Sequence, residues 1–261
     1  MDVLEVTQDK GICWLKLNRP EVRNAWTAEM GDRVTAQLEL IARDASVRVV
    51  VITGKGKGFC AGVDLRGHFD VDTQGVSDLR GMHHRRFMPA ILALRRLPKP
   101  VICAINGASV GYGCSLAMAS DFVLMAKSAV MIFAFSKIGL LPDGGATALL
   151  VERVGPLRAT EIAMLAQDIS ADQALQLGLV NRVVADEQLE AATLELAQQL
   201  ATGPTQAYAA IKEAVQAWSA GDLARQMERE GDLLQRLAAT NDFREGKSAF
   251  VERRGAKFTG S

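Results

Sequence analysis

Asp143 lies in the run Gly139-Leu140-Leu141-Pro142-Asp143-Gly144-Gly145, a carboxylate on a Gly/Pro-rich turn. A carboxylate so placed either caps the helix that follows or works as an acid/base group. Upstream lie two glycine-rich segments, Gly58-Phe59-Cys60-Ala61-Gly62-Val63-Asp64 and Asn106-Gly107-Ala108-Ser109-Val110-Gly111-Tyr112-Gly113-Cys114. Glycine lets the backbone turn its N–H groups outward and lets a ligand come close. The second segment should open into a helix, whose first N–H groups favour negative charge. Two such turns brought together could hold a developing enolate oxygen, where one lost donor typically costs ~3 kcal/mol. Nucleotide-binding alternatives fail on spacing. Lys57 is followed by Gly58 and Phe59, and Gly107-x-x-x-Gly111-x-Gly113 is not a dinucleotide fingerprint.

Other residues invite chemistry less strongly. His83-His84 is a tempting acid/base pair, but adjacent residues on a helix point different ways. No carboxylate pattern around the pair suggests a metal, so these histidines, and His68, read as surface or pocket wall. Ser115 lacks a Gly-x-Ser-x-Gly elbow. Asp64 closes the first glycine loop and reads as a residue that holds the turn. Trp26 and Phe87 read as core or pocket wall, and the Tyr112 ring can line a pocket.

The elements that must position these residues alternate. Val3 to Thr7 and Ile12 to Leu17 read as strands joined by a turn, and Thr27 can cap a helix to about Ala42. Val47 to Thr53 and Val101 to Ile105 are buried strands, with a helix from Phe87 to Leu97 between them. A helix near Cys114 to Ala119 and short strands at Phe122 to Ala126 and Val130 to Phe133 come next. Helices at Ala146 to Val154 and Leu157 to Ala166 lead to a turn at Gly178 and a strand at Val180 to Val184. From Asp186 the chain reads as helical, broken at Gly203-Pro204, Gly221 and Asn241-Asp242. Phe69 to about Arg85 shows no clear period. Alternation of this kind argues α/β with parallel pairing, followed by a helical tail.

Composition narrows the class. Thirty acids balance thirty bases over 261 residues, which favours neither nucleic acid nor an anionic membrane. The cysteines, Cys13, Cys60, Cys103 and Cys114, form no CxxC pair and read as reduced, buried thiols. The N-terminal residues lack the pattern of a secretory signal, and no run approaches the roughly 18 apolar residues of a membrane span. A soluble, cytoplasmic protein is expected.

Taken in order, Asn18-Arg19-Pro20 with Asn24-Ala25, the two glycine loops, and Lys137-Ile138-Gly139-Leu140-Leu141-Pro142 resemble the crotonase (enoyl-CoA hydratase/isomerase) superfamily. So do Ala171-x-x-Ala174-x-x-Leu177-Gly178-Leu179-Val180, Phe243-Arg244-Glu245-Gly246 and Phe258-Thr259-Gly260. The resemblance implies a spiral of ββα turns over residues 1–200 that carries the acyl-CoA site. It implies a C-terminal helical region, 201–261, that builds a homotrimer or homohexamer. The substrate would be an acyl-CoA thioester, with no other cofactor and no metal. The backbone N–H groups of Val63 and Tyr112 would hold its carbonyl oxygen. Ala61, Gly62, Asp64, Gly111, Ser115 and Phe135 would lie around the substrate, Ala61 toward the adenine end. One of Arg85, Arg86, Arg95 or Arg96 could reach the CoA phosphates.

Hydratases of this family use two glutamates, and the matching positions here are Ser115 and Phe135. Phe135 transfers no proton, and Ser115 is a poor base without a partner. Asp143 falls where isomerases and a dehalogenase of the superfamily carry their acid, and its local run looks closest to the phenylacetyl-CoA branch. The expected activity is therefore isomerisation of an enoyl-CoA or ring-bearing acyl-CoA, with Asp143 moving the proton. The alternatives are an enoyl-CoA hydratase with atypical residues and a crotonase-fold protein that binds acyl-CoA or a partner without catalysis.

Overall fold

A computed structural model describes residues 2–67, 71, 75–218 and 223–257. The chain opens with an antiparallel hairpin, β1 (Leu4–Asp9) and β2 (Ile12–Leu17), closed by Lys10 and Gly11 at positive φ. Helix α1 (Ala28–Arg43) follows, with the Thr27 hydroxyl accepting the Met30 N–H at 3.2 Å. It buries Met30, Val34, Leu38 and Ile41 on one face.

Three repeats of strand, strand and helix then build the body. Strands β3 (Val49–Gly54) and β4 (Gly58–Cys60) lead through α2 (Leu79–Met82) and a wide turn (His83–Phe87) into α3 (Met88–Arg96). Strands β5 (Val101–Ile105) and β6 (Ala108–Val110) lead into α4 (Tyr112–Ala119), and β7 (Phe122–Ala126) and β8 (Val130–Ile132) into α5 (Ala146–Leu165). The first strand of each repeat joins a sheet ordered β1-β2-β3-β5-β7-β10, and the second a sheet ordered β4-β6-β8-β9. Within them β3, β5 and β7 are parallel, as are β4, β6 and β8. This is the ββα spiral of the crotonase fold. β3 and β5 are buried throughout, which is why their sequences are nearly unbroken aliphatic runs.

The remainder is β9 (Ile169–Ser170), α6 (Ala171–Gln176), β10 (Arg182–Val184), α7 (Leu189–Thr202), α8 (Thr205–Trp218), α9 (Leu223–Ala238) and α10 (Asn241–Glu252). α7 covers the larger sheet, while α9 packs on α2, α3 and α5. α5 bends at Gly155, where φ is 73°, so the helices expected on either side of Pro156 run together across a kink.

The second sheet departs from expectation. Gly58–Cys60 and Ala108–Val110 pair as strands inside segments read above as glycine turns, and β9 is a two-residue strand. Such short pieces show no alternation; they exist because the spiral stacks them. The strand expected from Val180 begins only at Arg182. The described part of the unperiodic segment contains α2 and the turn at His83–Phe87. His68, Phe69, Gly221 and Phe258-Thr259-Gly260 lie outside the described residues.

Candidate active site

The two glycine loops meet because β4 and β6 are neighbours in the small sheet. Gly62 sits at φ +85°, and a Cβ there would lie 3.0 Å from the Val110 carbonyl oxygen. Gly113 admits no side chain either, since a Cβ would come within 2.6 Å of the Cys60 carbonyl oxygen. The spacing of the glycines therefore encodes contact between two main chains.

Val63 is held by a short bridge to Trp26. Trp26 N donates to the Gly62 carbonyl at 2.7 Å, and Asp64 N donates to the Trp26 carbonyl at 2.9 Å. Both bonds use groups flanking Val63, so its own N–H stays outside the bridge. Tyr112 opens α4, where an N–H has no partner within the helix. Among the described residues neither N–H donates to a protein acceptor. The Tyr112 phenol, given no task above, donates to the Phe87 carbonyl at 2.7 Å, and its ring packs 4.9 Å from that of Trp26.

Val63 and Tyr112 both line an apolar cavity of about 160 Å³. Ala61, Gly62, Gly111, Phe135 and Asp143 line it as well. Asp64 and Ser115 stand outside the lining. Asp64 pairs with Arg19 at 3.0 Å and accepts the Arg66 N–H, which braces the loop from behind. Ser115 is fully buried beneath the Asp143 turn and donates its hydroxyl to the main-chain oxygen of Asp143 at 2.8 Å.

Asp143 is the only carboxylate among the described lining residues. It does not cap α5: the N-cap is Gly145, and no side-chain cap bond is made there. Asp143 is 5% exposed and its Oδ1 has no hydrogen-bond partner. Burial, and then the charge of Glu230, raise its proton affinity well above that of an ordinary aspartate. A carboxyl group with its proton affinity so raised is suited to acid/base work.

The charged contacts of the turn come from much later in the chain. Glu230, on α9, accepts the Gly145 N–H at 2.8 Å, the Thr147 N–H at 3.3 Å and the Thr147 hydroxyl at 2.5 Å. Burial pushes its pKa up to about 7. The same helix contributes Leu234 to the cavity, and α10 contributes Phe243 and Phe250. Sequence reading missed all four, since only docking of the helical tail brings them to the turn. The helical spacing of Glu230 to Leu234 was the one available sign of a shared face.

His83 is buried, with its pKa pushed down to about 4 mainly by that burial, and the His84 ring lies edge-on to it. A carboxylate absent from the local sequence does reach this pair, for His84 Nε2 lies 2.9 Å from Glu228. No cluster suited to a metal ion occurs among the described residues. All four cysteines are buried free thiols.

Residues 7–261 match the family Enoyl-CoA hydratase/isomerase. The chain is 43% identical to the 1,2-epoxyphenylacetyl-CoA isomerase of Escherichia coli (strain K12), over 97% of this chain and 96% of that protein. It is 39% identical to a probable enoyl-CoA hydratase of Rhodobacter capsulatus, over 96% of this chain and 95% of its relative. An enoyl-CoA hydratase crystal structure from Mycobacterium avium subsp. paratuberculosis K-10 superposes with a TM-score of 0.89 at 34% identity, covering 98% of each chain. Loops that interlock through glycine, an apolar cavity between them and these likenesses along the whole chain agree, and the chain belongs to the enoyl-CoA hydratase/isomerase family, which acts on acyl-CoA thioesters.

Proposed function

We propose that the protein is an acyl-CoA isomerase in which Asp143 carries the proton. The observation behind this reading is the partnerless, buried Asp143 carboxyl on an apolar cavity with no second carboxylate among its described lining residues. Hydration by two carboxylates has no support here, because Ser115 bonds to main chain and Phe135 forms wall.

The chemistry follows from the groups available. With a 3-enoyl-CoA, the Asp143 carboxylate takes a proton from the carbon between carbonyl and alkene. The electron pair delocalises over the carbonyl and the double bond. The N–H groups of Val63 and Tyr112 hold the oxygen as it becomes negative. Asp143 then returns the proton to the far carbon of the former alkene, which leaves a conjugated 2-enoyl-CoA. A base with raised proton affinity suits this step, since its strength approaches what a weak carbon acid requires. A ring-bearing acyl-CoA is the second substrate class, supported by the likeness to an isomerase named for an epoxyphenylacetyl-CoA.

Assembly into a trimer or hexamer belongs to the same reading. Leu157, Met164 and Leu165 on α5 and Val251 on α10 are exposed as large apolar side chains, an arrangement that suits burial against further copies.

The test follows absorbance of the conjugated thioester when a 3-enoyl-CoA is mixed with wild type and with Asp143→Asn. Signal from wild type alone is expected. Equal turnover by both would overturn the mechanism, and silence from both would direct the search to ring-bearing substrates.

A further inference from the structure

Glu230 takes no part in the proton transfer above, yet it is a fully buried carboxylate directly behind the Asp143 turn. Its three hydrogen bonds reach Gly145, the N-cap of α5, and Thr147 in its first turn. The Thr147 hydroxyl is held from its other side by the Gln226 amide at 2.7 Å, one helical turn before Glu230 on α9. α9 thus grips the start of α5 with two side chains. Ser115 holds the same turn from α4, through the Asp143 carbonyl.

The two carboxyl groups are unequally served. Glu230 is aimed at the positive end of a helix and accepts two N–H bonds and one O–H bond, all of which favour its anion. Asp143 Oδ1 accepts none. Two buried carboxyls acting on each other do not ionise together readily, and the first proton leaves the better-solvated partner. No described cation acts on either group. The Tyr112 phenol is held neutral by burial and then by the charge of Asp143. On the far face of α9, Arg80 pairs with Asp232 at 2.5 Å and His84 with Glu228 at 2.9 Å.

Resting on the reading of Asp143 as the acid/base group, we propose that Glu230 is a positioning residue for it. Glu230 anchors the N-cap Gly145 and Thr147 in the first turn of α5, so fixing where Asp143 points, and its charge raises the pH at which Asp143 becomes the carboxylate that the reaction uses. Helix α9 thereby sets both the geometry and the working pH of a turn far from it in sequence. Leu234, one turn further along α9, lines the cavity. Acyl group and catalytic turn therefore bear on the same helix.

The experiment is a pH titration of full-length protein carrying ¹³C-carboxyl aspartate, with the Asp143 signal identified by its loss in Asp143→Asn. In wild type this signal should show two inflections, one belonging to Glu230. In Glu230→Gln it should show one, lower by at least about one pH unit. The acid limb of kcat against pH should move down by the same amount. Glu230→Asp, which keeps the charge on a shorter arm, should leave the titration in place and lower kcat about tenfold with KM little changed. A single inflection in wild type, or an unshifted signal in Glu230→Gln, would overturn the proposal even if that variant melts early, because a merely structural cap changes stability and leaves the titration alone. Coupled titration together with undiminished turnover by Asp143→Asn would instead retain the coupling and refute the isomerase mechanism.

Discussion

The Ser115 hydroxyl donates to the main-chain oxygen of Asp143 at 2.8 Å, with both residues buried. Ser115, which the family resemblance matches to a hydratase glutamate, here supports the backbone of another acid. Ser115→Ala removes one of the two hydrogen bonds this buried carbonyl accepts, the other coming from the Ala146 N–H at 3.1 Å, a loss of about 1 kcal/mol that loosens the turn. Turnover should fall about tenfold with KM little changed, as steady-state kinetics on a 3-enoyl-CoA would record.

Asp143→Asn should separate activity from stability. Proton transfer by a placed side chain contributes about 10²–10⁴-fold, and turnover should fall by that much. Yet the folded protein holds a proton on Asp143 that the unfolded chain releases near pH 4, because burial raises its proton affinity. The native state therefore binds more protons than the unfolded state, and stability declines as pH rises above that point. Glu230 acts in the same direction between the ordinary glutamate value of 4.5 and about 7. Removing the Asp143 carboxyl should make Asp143→Asn lose less stability than wild type between pH 5 and 8. Calorimetry at the two values checks this, at about 2–4 °C of Tm per kcal/mol.

Gly113→Ala would drive a methyl group to 2.6 Å from the Cys60 carbonyl oxygen, a main-chain atom with no room to retreat. The two glycine loops must then separate and carry Val63 away from Tyr112. Activity should drop more than about a hundredfold, the scale of one lost oxyanion donor. Far-UV circular dichroism should remain close to wild type. Full activity in this variant would show that the spacing of the loops is immaterial to catalysis.

Leu234→Ala removes three carbons from the cavity wall supplied by α9. Preference should move toward bulkier acyl groups, since each methylene in an apolar pocket is worth about 1–3 kcal/mol of discrimination. The ratio of kcat/KM for a long or ring-bearing acyl-CoA to that for a short one, compared with wild type, reads this out.

Sedimentation equilibrium should give three or six times the chain mass of 28.1 kDa. Met164→Glu, placing charge on an outward apolar surface where Met164 is 71% exposed, should lower that mass. A monomeric wild type would leave the outward apolar residues of α5 and α10 without an explanation.

Local signals declared much of this architecture. The strands from Val49 and Val101 are continuous aliphatic runs because both faces are covered, and Thr27 announces α1 by the cap it makes. The glycine loops and Asp143 stood out because glycine at φ +85° and a carboxylate beside Pro142 are unusual choices that a chain makes for geometric reasons. By itself the sequence determined the strand–helix alternation, the paired glycine turns and the acid on the Gly/Pro-rich turn at Asp143. Only the tertiary structure decided what surrounds that acid. The short strands of the second sheet exist through stacking alone, and Ser115 turned out to hold main chain. Glu230, Leu234, Phe243 and Phe250 come to the cavity through docking of the C-terminal helices. Hydrogen bonds within a turn or cap are written in neighbouring residues, whereas the burial and charge that set a carboxyl group's proton affinity come from whatever packs against it. For Asp143 that partner is a helix much later in the chain, and no local pattern encodes the meeting.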